Sequence, residues 1–155
     1  MKLRFLWIGK TRRAPIRELI GEYVERVKRF APVEVVELRD RDDVGGDARR
    51  IIEKEGADIL TRTAQDPFVI ALDERGRQMD SVQLAELIEQ HRVSGTKQMT
   101  FVIGSHSGLA ESVRQRAHCL LALSRMTLTH EMARAMLIEQ VYRAFTIIHD
   151  LPYQK

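Results

Sequence analysis

Met99-Thr100-Phe101-Val102-Ile103-Gly104-Ser105-His106-Ser107-Gly108 is the stretch on which the fold turns. Residues 99–104 are a short run of aromatic, branched and other apolar side chains, as expected of a strand buried on both faces. Two glycines then bracket a polar loop, and residues 109–117 carry the pattern of a short helix. The same order recurs on either side. Upstream, residues 67–72 read as a strand closed by the turn Asp73-Glu74-Arg75-Gly76, after which Ser81 caps a helix to about Val93. Downstream, residues 118–123 read as a strand and residues 130–148 as the longest helix, with Met132, Met136, Ile138, Val141, Phe145 and Ile148 as its packing positions.

Toward the N-terminus, residues 3–9 form another apolar run, and Ile16, Leu19, Ile20, Tyr23, Val24, Val27 and Phe30 recur at helical spacing until Pro32 stops them. Residues 33–38 make a further strand. A charged turn containing Gly45-Gly46 follows, and Asp47 then caps a helix to about Thr63. Strands alternating with helices in this way predict an α/β fold: a mostly parallel sheet with helices on both faces, in one domain spanning residues 1–155. Ligands of such sheets sit outside the carboxyl ends of the strands, so the segments after Leu72, Gly104 and Leu123 are where chemistry is expected.

Composition agrees. The 155 residues are 44% hydrophobic and 30% charged, which excludes a disordered chain, a collagen-like repeat and a disulfide scaffold. Cys119 is the single cysteine, so no internal bridge forms, which suits a reducing compartment. The longest apolar runs, 5–8 and 119–123, fall far short of the ~20 residues a membrane span needs. Lys10, Arg12 and Arg13 follow Trp7 too closely for a signal peptide, so a cytoplasmic protein with no membrane partner is expected. The net charge of +3 conceals an acidic middle between basic ends, and 19 of the 25 cations are arginine. Arginine's planar fork suits phosphate and base edges, which permits a nucleic-acid partner without requiring one.

Several chemistries are excluded by residues at the required positions. The 104–108 loop matches neither the phosphate loop G-x-x-x-x-G-K-[ST] nor the dinucleotide fingerprint G-x-G-x-x-G. A nucleophile elbow needs serine where His106 stands. His130-Glu131 opens like the zinc motif H-E-x-x-H, but the second ligand position is Arg134. His91, His106, His118 and His149 lack ligand spacing, so no metal is expected, and Cys119 reads as inert core.

The richest constellation is Leu123-Ser124-Arg125-Met126-Thr127-Leu128-Thr129-His130, with Arg134 four residues on. Hydroxyls and free backbone groups there suit the edges of a heterocycle, and equally suit a helix cap. His130 and Arg134 share one helix face, as a cationic corner of a site or as an ordinary exposed face.

Taken together, Phe101-Val102-Ile103-Gly104, Gly108-Leu109, Leu123-Ser124, Met126-Thr127, His130 and Leu137-Ile138-Glu139-Gln140-Val141-Tyr142-Arg143-Ala144 resemble the RlmH family. The turn Leu72-Asp73-Glu74-Arg75-Gly76 and the terminal Pro152-Tyr153 add to the resemblance, which covers essentially the whole chain. It implies a SPOUT-class methyltransferase with a C-terminal trefoil knot. The activity it implies is methylation of N3 of a pseudouridine in 23S ribosomal RNA of the ribosome, with S-adenosylmethionine as cofactor, by a homodimer.

By the same resemblance, the cofactor would be held by Leu72, Gly104, Leu123, Ser124, Arg125, Met126, Thr127 and Leu128. His130, Arg134 and Tyr153 would face the RNA, Arg134 stabilising the imide anion and His130 orienting the base as the catalytic pair. Three positions depart from the family pattern: Ser105 replaces a glycine, Thr129 a proline and Gln154 a histidine. They are the support for one alternative, a ribosome-binding factor without transfer chemistry. A second, a methyltransferase acting on another RNA such as tRNA, follows because the class shares its cofactor pocket across substrates, and a flavodoxin-like ligand-binding module is the third, on fold alone.

Overall fold

The structure is a computed structural model that describes residues 1–41 and 47–153. Gly45, Gly46 and Gln154, on which expectations were placed above, lie outside those residues. Five strands, β1 (Lys2–Ile8), β2 (Val33–Leu38), β3 (Phe68–Gln78), β4 (Gln98–Ile103) and β5 (Cys119–Ala122), form one parallel sheet in the order β2-β1-β4-β3-β5. The helices are α1 (Ala14–Val27), α2 (Ala48–Thr63), α3 (Ser81–Val93), α4 (Glu111–Arg116) and α5 (His130–Ile148).

Both faces of the sheet are covered, which is why its central strands are apolar throughout instead of alternating. Along β1, Leu3, Phe5 and Trp7 join a core with α1, α3 and α5, whereas Leu6 and Ile8 join a second core with α2 and α4. Met99, Phe101 and Ile103 of β4 point to the first core and Val102 to the second. Phe5 and Phe101, paired across β1 and β4, stack at 5.5 Å. No helix among the described residues is long and apolar enough to cross a membrane.

Local chemistry sets the helix starts. Asp47 accepts from the Arg49 amide at 3.2 Å, as the sequence predicts. For α3 the cap is Asp80, not Ser81. Asp80 and Gln83 satisfy each other's amides in a capping box, and the Ser81 hydroxyl instead donates to Gln140 of α5 at 2.6 Å.

Three further expectations need correction. The 73–76 turn is an irregularity inside β3. The strand pairs with β5 up to Leu72, shifts register, and pairs again from Arg77, and a Cβ on Gly76 would sit 2.6 Å from the Leu120 backbone. Phe30 lies beyond the end of α1, though it still packs, stacked on Phe145 at 5.4 Å. Met132 and Met136 are 45% and 39% exposed, because the buried face of α5 runs through Glu131, Arg134, Ala135, Ile138, Val141 and Phe145.

Candidate active site

A cavity of about 780 Å³ opens at the carboxyl ends of β3, β4 and β5, within the usual range for small-molecule sites. Three loops wall it: residues 72–75 after the first part of β3, residues 104–108 after β4, and residues 123–129 after β5, closed by His130 and Ala133 of α5.

The 104–108 loop is folded back on itself. Gly108 donates to the Ser105 carbonyl at 3.0 Å, and Gly108 holds φ +89°, which favours glycine. A Cβ on Gly104 would sit 2.5 Å from the Gly108 carbonyl oxygen, so only glycine allows this closure. Ser105 is buried, and its hydroxyl donates to Glu55 of α2 at 2.8 Å. Glu55 also accepts the Arg41 amide at 3.2 Å.

The first wall is tied down by Asp73, which accepts from Arg114 of α4 at 2.6 Å and from the Arg75 amide at 2.9 Å. Burial pushes the Asp73 carboxyl up, but the guanidinium and amide outweigh it and hold it below its ordinary value. In the third wall, the Ser124 hydroxyl accepts the Met126 amide at 2.9 Å and Thr129 caps α5 by accepting the Met132 amide at 3.3 Å. Thr129 therefore occupies the departed proline position as a working cap.

His130 lines the cavity, half-buried, and its pKa is lowered by burial and then by the charge of Arg134, with Glu131 opposing. The imidazole is therefore neutral near pH 7 and offers one donor and one acceptor. Apolar side chains of Ile103, Leu109, Leu121 and Leu128 lie among the polar groups, so the cavity offers both apolar and hydrogen-bonding surface.

Of the expected cofactor residues, Leu72, Gly104, Leu123, Ser124, Met126, Thr127 and Leu128 line this cavity together. Arg125 does not, and is exposed. Arg134 is completely buried and does not line it: its guanidinium donates to the Thr11 hydroxyl at 2.9 Å and to the Ile8 carbonyl, over the Trp7 ring. Direct hydrogen bonding of a substrate by Arg134 is thereby excluded in this arrangement.

Tyr153 also lies away from the cavity of its own chain. Its hydroxyl is 2.9 Å from that of Tyr23 and donates to Glu139 at 3.2 Å, and the Arg143 guanidinium lies 4.7 Å from its ring centre. Burial, the Tyr23 hydrogen bond and the Glu139 charge all push the phenol pKa up. Cys119 is half-buried, with its thiol raised by burial. Among the described residues, no three His, Cys, Asp or Glu side chains gather as a metal site would require.

The model of the family described as predicted SPOUT methyltransferase matches residues 1–154. A ribosomal RNA large subunit methyltransferase H from Trichlorobacter lovleyi is 45% identical over 153 residues, covering 99% of each chain. Two solved structures share the fold at low identity. A probable methyltransferase from Bordetella pertussis has TM-score 0.58 and 16% identity, over 92% of this chain and 95% of its own. A Legionella pneumophila protein, solved with bound SAM, has TM-score 0.56 and 11% identity, over 93% of this chain and 66% of its own. The family match and the curated relative agree over nearly every residue, and the chain belongs to the SPOUT methyltransferases, within them to the RlmH family.

Proposed function

We propose that this protein methylates N3 of a pseudouridine in 23S ribosomal RNA, using S-adenosylmethionine, in the cytoplasm where ribosomes are found. The observation that carries the reading is the cavity itself. Its three walls are the loops at the carboxyl ends of β3, β4 and β5, and the 104–108 closure permits only glycine at position 104. The name of the Trichlorobacter relative supports ribosomal RNA as the substrate. The SAM bound to the Legionella structure supports the cofactor.

S-adenosylmethionine supplies, when bound, a sulfonium methyl group that reacts by in-line displacement. The loops at Leu72, Gly104 and the 123–128 segment would hold it through backbone groups and the Ser124 and Thr127 hydroxyls, with Leu109 and Leu128 excluding water. Such fixed positioning is worth a large part of a displacement barrier. Neutral His130 at the wall would orient the uracil-type ring through a ring nitrogen. Arg134, fully buried behind it, acts through its field and its packing and donates no hydrogen bond to substrate.

The trefoil knot belongs to the same reading, supported by the match to the SPOUT methyltransferase family. So does the homodimer: Leu19 of α1 and Met132, Met136 and Ile147 of α5 are each 39–45% exposed, an apolar face suited to a second copy. Tyr153 would reach RNA only at such an interface. We read residues 1–155 as one domain.

Mass spectrometry of ribosomal RNA nucleosides tests the reading. A strain lacking the protein is expected to lose N3-methylpseudouridine, and purified protein to restore it on ribosomes but not on tRNA. An unchanged nucleoside profile sinks the proposal.

A further inference from the structure

The turn between β1 and α1, Gly9-Lys10-Thr11-Arg12-Arg13, puts three cations in four residues, and all three side chains are exposed. This turn is held by two buried charged side chains from the first two turns of α5, Glu131 on its amides and Arg134 on the Thr11 hydroxyl and the preceding Ile8 carbonyl. Glu131, 8% exposed, accepts the Arg12 amide at 2.6 Å and the Arg13 amide at 3.3 Å. Arg134, with no exposure, grips the turn's base through Thr11 and the Ile8 carbonyl. Arg17 reinforces it from outside by donating to the Thr11 carbonyl at 3.3 Å.

Burying charge is costly unless hydrogen bonds compensate, so a turn that needed only to connect two elements would not require it. The arrangement ties residues 11–13 to the start of α5, which also supplies His130 and Ala133 to the cavity wall. It also sorts charge by depth. The carboxylate is buried and accepts amides, while Lys10, Arg12 and Arg13 are exposed residues. Arginine forks match phosphate oxygens bidentately.

We infer that residues 10–13 form a phosphate-binding rim that seats the RNA backbone beside the cavity, with Glu131 and Arg134 as the positioning residues that hold it there. This rests on the reading that the substrate is ribosomal RNA, and it gives Arg134 a structural duty in place of a hydrogen bond to the base.

The test measures binding of purified 70S ribosomes across a salt series, with S-adenosylmethionine affinity by calorimetry as the control for an intact cavity. For Arg12→Gln/Arg13→Gln, affinity for ribosomes is expected to fall ~10-fold near 0.1 M salt, and the slope of log K on log salt to shrink by roughly 1.5. Cofactor affinity should stay as in the parent. For Glu131→Gln, with both arginines present, ribosome affinity is expected to fall several-fold. The double variant changes only exposed side chains, so it decides the matter even where Glu131→Gln folds poorly. Unchanged affinity and slope in the double variant overturn the rim, provided the parent protein methylates ribosomal RNA. A parent protein that methylates no ribosomal RNA overturns the functional reading beneath it.

Discussion

Ser105 donates its hydroxyl hydrogen to Glu55 across 2.8 Å, tying the loop that walls the cavity to a helix fifty positions earlier in the chain. Glu55 is 2% exposed, and its other oxygen takes the Arg41 amide. The side chain that departs from the family glycine is thus a tether for the loop and no obstruction of the cavity.

Replacing Ser105 with glycine is therefore expected to weaken the protein, although it restores the family residue. A buried carboxylate would lose a charge-assisted donor, worth about 1.5–3 kcal/mol. For a domain of this size that is a fall in Tm of roughly 5–10 °C. Calorimetric unfolding of Ser105→Gly beside Glu55→Gln checks it; Ser105→Gly melting with the parent would show that the tether carries no stability.

His130 gives the expected pH dependence. Burial and the Arg134 charge depress its pKa, so the folded protein keeps the imidazole neutral below the pH at which an ordinary histidine protonates. The unfolded chain then binds more protons than the folded one, so stability falls as pH drops through the ordinary imidazole range and toward the lower folded value. If neutral His130 orients the base, methylation should decline over that acid range. The midpoint in kcat/KM should lie below the ordinary imidazole value, and His130→Gln should lose that limb. A midpoint above the ordinary value contradicts the assignment.

Asp73 and Arg114 make a second tether, from the irregular part of β3 to α4. Their side chains are 6% and 20% exposed, so the pair is mostly but not fully withdrawn from water. Asp73→Asn is expected to cost ~2 kcal/mol, less than the 3–5 kcal/mol of a fully buried broken pair. It should weaken S-adenosylmethionine binding more than it lowers turnover at saturating cofactor. Because the Asp73 pKa is depressed, its contribution is present above the ordinary carboxylate value and is lost as pH falls through the folded one. Titration calorimetry showing unaltered cofactor affinity in the variant would separate this wall from the binding site.

Most of the fold was legible because it depends on short-range pattern. The apolar runs of β1 and β4 and the Asp47 cap are each set by residues within a few positions of one another. Residues 73–76 misled because Asp-Glu-Arg-Gly is turn chemistry, and only the pairing of Arg77 and Gln78 with β5 keeps the strand going. In the site, the cavity-lining loops were legible from the strand ends, whereas Glu55 and Glu131 have partners 50 and 119 residues away, beyond any local signal. The burial of Arg134 escaped notice for another reason. Counting back from Phe145, Val141 and Ile138 by helical steps reaches 134 and 131, so the phase of α5 already buried both. The assumption that charges point outward hid it.

The same phase leaves Met132, Met136 and Ile147 together on the opposite side of α5, with Leu19 exposed on α1, which packs against it. Burying the 39–45% of each such side chain that is still exposed is worth about 1 kcal/mol, so several of them, contributed by both copies, can help hold a dimer together. Met132→Glu/Met136→Glu is expected to give a monomer by light scattering at concentrations where the parent is a dimer. Its Tm should drop only as far as dimer dissociation accounts for, since neither side chain belongs to the core of one protomer. A double variant that still scatters as a dimer would move the interface to another face.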